Sequence, residues 1–180
     1  HSLSESSNSL VGNQHLITKI YFPRLVIPIS AVLAGLVDFL IAFGILLGLM
    51  LYYGVSPGWA IVTLPGFVLL TIITALGAGL WLSALNVKYR DVRYTITFLV
   101  QFWLFATPVA YSSNLIPEKW RMVYGLNPMA GVVEGFRWAL LGNSAPSGRM
   151  LWVSIGVVTV VLIGGLYYFR RMEQEFADIV

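Results

Sequence analysis

The chain has 180 residues, of which 58% are hydrophobic and only 11% are charged. Soluble domains carry about 25% charged residues, so this composition excludes an ordinary water-soluble domain. The absence of cysteine excludes disulfides, thiol catalysis and cysteine-based metal sites. The net charge of +3 says less than the positions of the basic residues, because those positions set the orientation of a membrane protein.

The amino-terminal segment, residues 1–23, is the least hydrophobic part of the chain outside its loops. Polar residues at 6–9 offer N-caps for a helix. Apolar residues then fall roughly on one helical face: Leu10, Val11, Ile17, Ile20 and Tyr21. This pattern predicts a short amphipathic helix that ends at Pro23, with a frayed terminus as the alternative.

Four hydrophobic segments are predicted to cross a membrane. They cover residues 25–53, 59 to about 86, 95 to about 113, and 150–169. No charged residue lies between Asp38 and Lys88. Because one membrane-spanning helix needs about 20 residues, that stretch holds two spans, joined by a tight turn at 54–58 (GVSPG). The expected fold is therefore an all-α membrane protein, a bundle of four spans.

The basic residues predict the orientation of these spans. They cluster before the first span, in the loop at 87–94, and in the tail at 170–180: Lys19 and Arg24; Lys88, Arg90 and Arg93; Arg170 and Arg171. The turn at 54–58 carries no charge. Since basic residues stay on the cytoplasmic side, both observed ends of the chain are predicted to be cytoplasmic.

The region 114–148 differs from the spans, because Glu134 and Arg137 interrupt an apolar stretch that is too short to cross. We predict a pair of short re-entrant or gate helices on the outer side. One begins near Pro117 and Trp120, and the other begins at Asn127-Pro128, since proline is favoured in a first helical turn. Re-entrant backbone must be covered by protein or water, which implies a cavity or gate there.

Asp38 is the one acidic residue inside an apolar span, and it shares a helical face with Ala31, Gly35 and Ala42. A charge at the bilayer centre costs roughly 2.5–3.5 kcal/mol on insertion scales, so this side chain should face protein or water. A packing or hydrogen-bonding role and a role in substrate or proton passage both remain open. No other span carries a clear ionisable partner, which argues against a proton-coupled carrier.

A stripe of aromatic residues marks the start of the predicted third span: Tyr94, Phe98, Phe102 and Phe105. Such a face suits sugar rings and lipid tails alike, and core packing is a further alternative. His1 and His15 are isolated, so no metal site is predicted. The chain has no phosphate-cradling GxxxxGK[ST] motif and no nucleophile–base grouping. Any ATP-driven work therefore requires a separate chain.

Five strings in this order resemble the type-2 ATP-binding-cassette exporter permeases: KIYFPRLVIP (19–28), NVKYRDVRY (86–94), PVAYSSNLIP (108–117), LNPMAGVVEGFRWALLG (126–142) and FRRMEQEFADIV (169–180). The chain looks most similar to the branch that exports polysaccharides such as O-antigen, capsule or teichoic acid. The resemblance covers nearly the whole chain. It implies a six-helix permease of the bacterial inner membrane, with the third to sixth helices here and the amino-terminal ones truncated.

The resemblance also implies partners and residue roles. It implies a homodimer with two ATPase subunits that hold ATP and Mg²⁺, a lipid-linked glycan as substrate, and no nucleic acid. Coupling to the ATPase would involve Asn13, Lys19 and Arg24, and the second inner loop would contain Lys88, Arg90, Asp91 and Arg93. The channel would be lined by Phe98, Gln101, Phe102, Phe105 and Thr107. The outer gate would contain Tyr111, Trp120, Asn127, Pro128, Glu134 and Arg137.

Three competing functions remain open at this point. An exporter of drugs or small lipids would share the fold. A membrane-embedded enzyme, such as a glycosyl-lipid transferase, would need clustered carboxylates or histidines at the membrane surface, which the sequence lacks. A purely structural membrane subunit would assemble into a larger complex but would not itself carry out transport.

Overall fold

A computed structural model describes residues 1–13, 23–55, 57–89, 91–109, 124–142 and 148–173. Within these ranges the chain forms α-helices and a single 3₁₀ helix, and no strand. The elements are α1 (Ser2–Gly12), α2 (Val26–Tyr52), the 3₁₀ helix (Trp59–Thr63), α3 (Leu64–Lys88), α4 (Val92–Ala106), α5 (Pro128–Leu141) and α6 (Gly148–Glu173). The predicted all-α fold is confirmed.

Three helical segments of the described chain are long and apolar enough to cross a membrane. They are α2, the 3₁₀ helix together with α3, and α6, with 27, 30 and 26 residues. One hydrocarbon core needs about 20 residues. The first, second and fourth predicted spans are thus present with nearly the predicted bounds. The second begins as a 3₁₀ helix, and α3 starts at Leu64 because Pro65 favours a first helical turn.

The predicted third span is shorter than expected. Helix α4 has 15 residues, or about 23 Å at 1.5 Å per residue, and it ends at Ala106. A turn follows at residues 107–109. Proline disfavours helical geometry in the residue before it, so Pro108 explains why the helix does not continue to residue 113. Residues 110–113 lie outside the described ranges.

Helix α1 belongs to a compact unit drawn from His1–Val37, Ile72–Phe102 and Val160–Val180. The core of this unit contains Leu10, Ile27, Leu80, Ala84, Val87, Phe169 and Met172. Ser6 and Ser7 are fully buried inside α1, so the prediction that they cap a later helix is wrong. The helix starts at Ser2 and ends at Gly12, and residues 14–22 lie outside the described part.

Helices α3 and α6 approach closely within this first unit. A Cβ atom added to Gly165 would lie 2.5 Å from the carbonyl oxygen of Gly77, and one added to Gly77 would lie 2.9 Å from the Cα of Leu162. Small residues allow this kind of backbone contact between helices in membrane proteins. The crossing therefore depends on glycine at both positions.

The second compact unit is drawn from Asp38–Thr71 and Trp103–Thr159. Its core contains Met50, Ala60, Leu64, Ala139 and Leu140. Helix α5 packs on the 3₁₀ helix and is shorter than a membrane span, with 14 residues. Its start at Asn127-Pro128 was predicted and is confirmed. The other predicted short helix, near Pro117 and Trp120, lies outside the described residues.

Candidate functional site

Helix α4 presents the aromatic face, which we define as Tyr94, Phe98, Phe102 and Phe105. All four side chains are exposed, Phe105 to 76%, whereas Ile96 on another side of the helix is 1% exposed. Ile96 thus packs this part of α4 against the first unit, to which Tyr94, Phe98 and Phe102 also belong, whereas Phe105 belongs to the second unit. The four aromatic side chains of the predicted stripe are thus all exposed on α4.

Gln101 places an amide group on the same side of α4. Successive residues of a helix lie about 100° apart, which puts Gln101 between Thr97 and Phe105 around the helix. The Gln101 side chain is exposed. An amide without a hydrogen-bond partner costs about 4 kcal/mol or more in pure hydrocarbon. A surface that combines aromatic rings with an amide can stack on apolar faces and hydrogen-bond to hydroxyl groups.

Thr107 does not fit the predicted contact with a glycan. The side chain is 4% exposed. Its hydroxyl donates to the carbonyl oxygen of Trp103 at 2.9 Å and accepts from Nδ2 of Asn127 at 3.0 Å. Both hydrogen-bonding roles of the hydroxyl are therefore occupied by the protein. The residue thus closes the end of α4.

Two residues of the predicted gate, Asn127 and Pro128, lie where α5 begins, and Arg137 reaches from α5 to the turn after α4. Asn127 caps α5, accepting at Oδ1 from the N–H of Met129 at 3.1 Å. Pro128 is buried in the first turn of α5. Arg137 donates from Nη2 to the carbonyl oxygen of Val109 at 2.7 Å. The remaining members are Glu134, which is half-buried on α5, and Tyr111 and Trp120, which lie outside the described residues.

The charged loop joins α3 to α4. Lys88 ends α3, and Asp91 directly precedes α4, where its carbonyl oxygen accepts from the N–H of Tyr94. A negative charge at a helix N-terminus is favourable because the helix dipole is positive there, which gives Asp91 a local role. Lys88 and Arg93 are exposed, and Arg90 lies outside the described residues.

The predicted coupling residues take different positions. Asn13 follows α1 and donates from Nδ2 to the carbonyl oxygen of Ser9 at 2.8 Å. Arg24 donates from Nη1 to the carbonyl oxygen of Glu173 and so connects the start of α2 with the end of α6. Lys19 lies outside the described residues. In the sequence, Asn13 precedes and Arg24 follows residues 14–22, which lie outside the described ranges.

A cavity of about 440 Å³ in the first unit has both Asn13 and Arg93 in its lining. Residues predicted for coupling and for the charged loop therefore meet at one place. Amide, hydroxyl and guanidinium groups share this cavity with apolar side chains. Further lining residues are Glu5, Asn8, Ser9, Ile27 and Ser30.

Asn86 was not among the predicted site residues. This side chain is 3% exposed, and its Nδ2 donates to the carbonyl oxygen of Ser7 at 3.0 Å and to Oδ1 of Asn8 at 3.1 Å. It therefore connects α3 to α1. The signal in the sequence was a single amide in the last turns of an apolar helix, where an unpaired polar group would be costly.

Comparison with known proteins identifies the family. Residues 2–141 match the family described as ABC-2 type transporter. The O-antigen export system permease protein RfbA of Myxococcus xanthus is 28% identical over 99% of this chain and 70% of its own length. RfbA of Klebsiella pneumoniae is also 28% identical, over 99% of this chain and 69% of its own. The inner membrane transport permease YadH of Escherichia coli K12 is 28% identical over 76% and 54%.

The family match extends from α1 to the end of α5, and it agrees with the three helical segments that are able to cross a membrane. The chain belongs to the ABC-2 type transporter family and is a membrane-spanning permease subunit.

Proposed function

We propose that this permease exports a lipid-linked polysaccharide of the O-antigen kind across the bacterial inner membrane. The proposal is supported by relatives named as O-antigen export permeases, which match 99% of the chain. It is also supported by a surface on α4 whose chemistry suits a glycan. The chain moves the substrate, and it does not modify it.

Membership of the family implies an ATPase partner. In our proposal this partner holds ATP and Mg²⁺, and the permease works as a homodimer with two copies of it. The partner contacts the region between Asn13 and Arg24, including Lys19, and the charged loop around Arg93. ATP binding moves this region and opens a passage between the two permease copies.

The observation that carries the proposal is the exposed aromatic face of α4 with Gln101 beside it. Two copies that turn these faces toward each other would line a passage with rings and amides. Contact with lipid alone would explain the rings but not Gln101, because hydrocarbon offers an amide no hydrogen-bond partner. A glycan offers both apolar ring faces and hydroxyl groups.

In the same proposal, the region 114–148, which includes α5, forms the gate on the outer side. The short length of α5 and the side-chain cap that Asn127 gives its first turn suit an element that enters the membrane region without crossing it. Both observed chain ends are then cytoplasmic, as the basic clusters predict.

The test compares substitutions on the aromatic face with a control elsewhere. Phe102→Ala and Gln101→Leu are made in the full-length protein, and Trp152→Ala is the control, since Trp152 is an exposed aromatic residue on α6. An aromatic contact is worth about 0.5–1.5 kcal/mol, so each test variant should lower surface glycan about threefold to tenfold. The control should export normally, with equal amounts of all variants in the membrane.

Wild-type export after the Phe102 and Gln101 substitutions would contradict a substrate role for this face. Deleting the neighbouring ATPase gene should abolish export, and export that persists would refute the whole mechanism. Purification with that ATPase tests the substrate class. ATP hydrolysis that responds to lipid-linked glycan supports the proposal, whereas a stable complex indifferent to glycan indicates an exporter of drugs or small lipids.

A further inference from the structure

One side chain, Asn127, joins the end of α4 to the start of α5. Its Nδ2 donates to the carbonyl oxygen of Ala106 at 3.2 Å and to Oγ1 of Thr107 at 3.0 Å. Its Oδ1 accepts from the N–H of Met129 at 3.1 Å. An asparagine amide has two donor hydrogens and one acceptor oxygen. Both donors thus serve α4 while the acceptor serves α5.

These contacts close the carboxyl end of α4. The last four carbonyl groups of a helix lack partners within the helix. The Asn127 amide donates to the carbonyl oxygen of Ala106. The Thr107 hydroxyl, which accepts from the same amide, donates to the carbonyl oxygen of Trp103 at 2.9 Å. Arg137 adds a second contact from α5, to the carbonyl oxygen of Val109. The last turn of α4 is therefore held in one orientation.

Helix α5 is a rigid support for this contact. A Cβ atom added to Gly131 would lie 2.7 Å from Oγ of Ser154, and one added to Gly135 would lie 2.2 Å from the ring of Phe67. The helix ends at Gly142, which has a φ of 66° and supplies a left-handed C-cap. This one face of α5 is thus packed closely on α6 at one turn and on α3 at the next, which leaves the helix little freedom to rotate or slide.

Phe105 lies in the turn of α4 that Asn127 holds. It directly precedes Ala106, whose carbonyl receives the amide, and it is the most carboxyl-terminal member of the aromatic face. A change in the pitch of this last turn would re-aim the Phe105 ring. The Asn127 amide is thus one of the contacts that hold the turn from which the Phe105 ring projects.

We propose that Asn127 is a positioning residue, which orients the Phe105 end of the aromatic face for the glycan without touching the glycan itself. This inference rests on the proposed function. It gives Asn127 a role in glycan binding that does not involve direct contact with the glycan. Thr107 is the acceptor through which Asn127 acts, and the two residues form one unit.

The test uses substitutions that separate the cap from the contact with α4. Asn127→Asp keeps an oxygen that caps α5 but removes both donors to α4. Thr107→Val removes the acceptor from the other side, whereas Thr107→Ser keeps the hydroxyl and is the matched control. Each full-length variant is reconstituted with its ATPase in liposomes, together with lipid-linked glycan extracted from membranes of the native host.

We expect Asn127→Asp and Thr107→Val each to raise the glycan concentration that half-stimulates ATP hydrolysis by about threefold to tenfold, the equivalent of one lost contact. The double variant should be no worse than the more affected single variant, because the two residues act as one unit. Thr107→Ser should match the wild type. A photoreactive residue in place of Phe105 should cross-link less glycan when Asn127→Asp is added.

A purely structural role would lower the melting temperature of the complex and leave the half-stimulating glycan concentration unchanged. That result in both Asn127→Asp and Thr107→Val would overturn the inference while the wild-type response kept the proposed function intact. If ATP hydrolysis by the wild-type complex ignores glycan, the proposed function fails, and the inference fails with it. The two failures are therefore distinguishable in one data set.

Discussion

Asn86 shows how a single buried amide connects two helices that are far apart in the sequence. Its Nδ2 donates to the carbonyl oxygen of Ser7 and to Oδ1 of Asn8, and Nδ2 of Asn8 in turn donates to the carbonyl oxygen of Ser4. Hydrogen bonds between membrane helices contribute about 0.6 kcal/mol on average and at most about 1.7 kcal/mol. Asn86 makes two, so its total contribution is about 1 kcal/mol.

We predict that Asn86→Ala lowers the free energy of unfolding by about 1 kcal/mol. Asn86→Asp should cost more, because it places an ionisable group at a buried position. Unfolding in mixed detergent micelles measures both effects. Thr159→Val is the control, since Thr159 is exposed and its hydroxyl donates only within α6, to Ile155. If Asn86→Ala were as stable as this control, the amide would not hold α1 to α3.

Local chemistry predicted some residues of the site and not others. The pair Asn127-Pro128 was found because a cap and a first-turn proline act within a few residues of each other. The hydrogen bonds of Thr107 were not predicted, since its partner Asn127 is distant in the sequence. Ser6 was taken for a cap, yet its hydroxyl donates to the carbonyl oxygen of Pro28 in another helix. Small polar residues at helix crossings look like caps until their neighbours are known.

At the scale of helices, the crossing of α3 and α6 rests on the pair Gly77 and Gly165. We predict that Gly165→Ala destabilises the protein by about 1–3 kcal/mol, the usual cost of overpacking. Its new Cβ would meet the backbone oxygen of Gly77 at 2.5 Å, which cannot move without shifting α3. This cost exceeds the gain of up to about 1 kcal/mol that alanine brings to a helix interior.

Gly156→Ala is the matched control on the same helix, because nothing lies within 4 Å of a Cβ added there. It should be neutral or slightly stabilising. The melting temperature of the purified protein reports the difference, at about 2–4 °C per kcal/mol for a chain of this size. Equal melting temperatures for the two variants would show that α3 and α6 are not in backbone contact.

The long helices were predictable because their signal is a run without charges, which needs no knowledge of partners. The end of α4 was predicted too late, although Pro108 carried the necessary information. The predicted third span followed hydrophobicity through the proline to residue 113. Hydrophobicity reports which environment a segment prefers, whereas proline reports where the backbone can be helical, and the backbone constraint decides the boundary.

At the scale of the whole molecule, the basic residues and the helix lengths together predict sidedness. Helix α2 and the segment Trp59–Lys88 are each long enough to cross the membrane. The turn between them then lies on one side, and the loop after Lys88 lies on the other. The basic loop and the basic end of α6 should share the cytoplasmic side, because Lys and Arg are retained there.

The chain contains no cysteine, so single cysteines can report this sidedness without removing native ones. We predict that a membrane-impermeant maleimide labels Val55→Cys in intact spheroplasts, since Val55 is exposed in the turn after α2. Asp91→Cys and Arg170→Cys are also at exposed positions, and they should react only after the membrane is permeabilised. The reverse pattern would invert the orientation and place the charged loop away from the ATPase. Labelling of Val55→Cys and Asp91→Cys from the same side would mean that Trp59–Lys88 does not cross the membrane, despite its length and hydropathy.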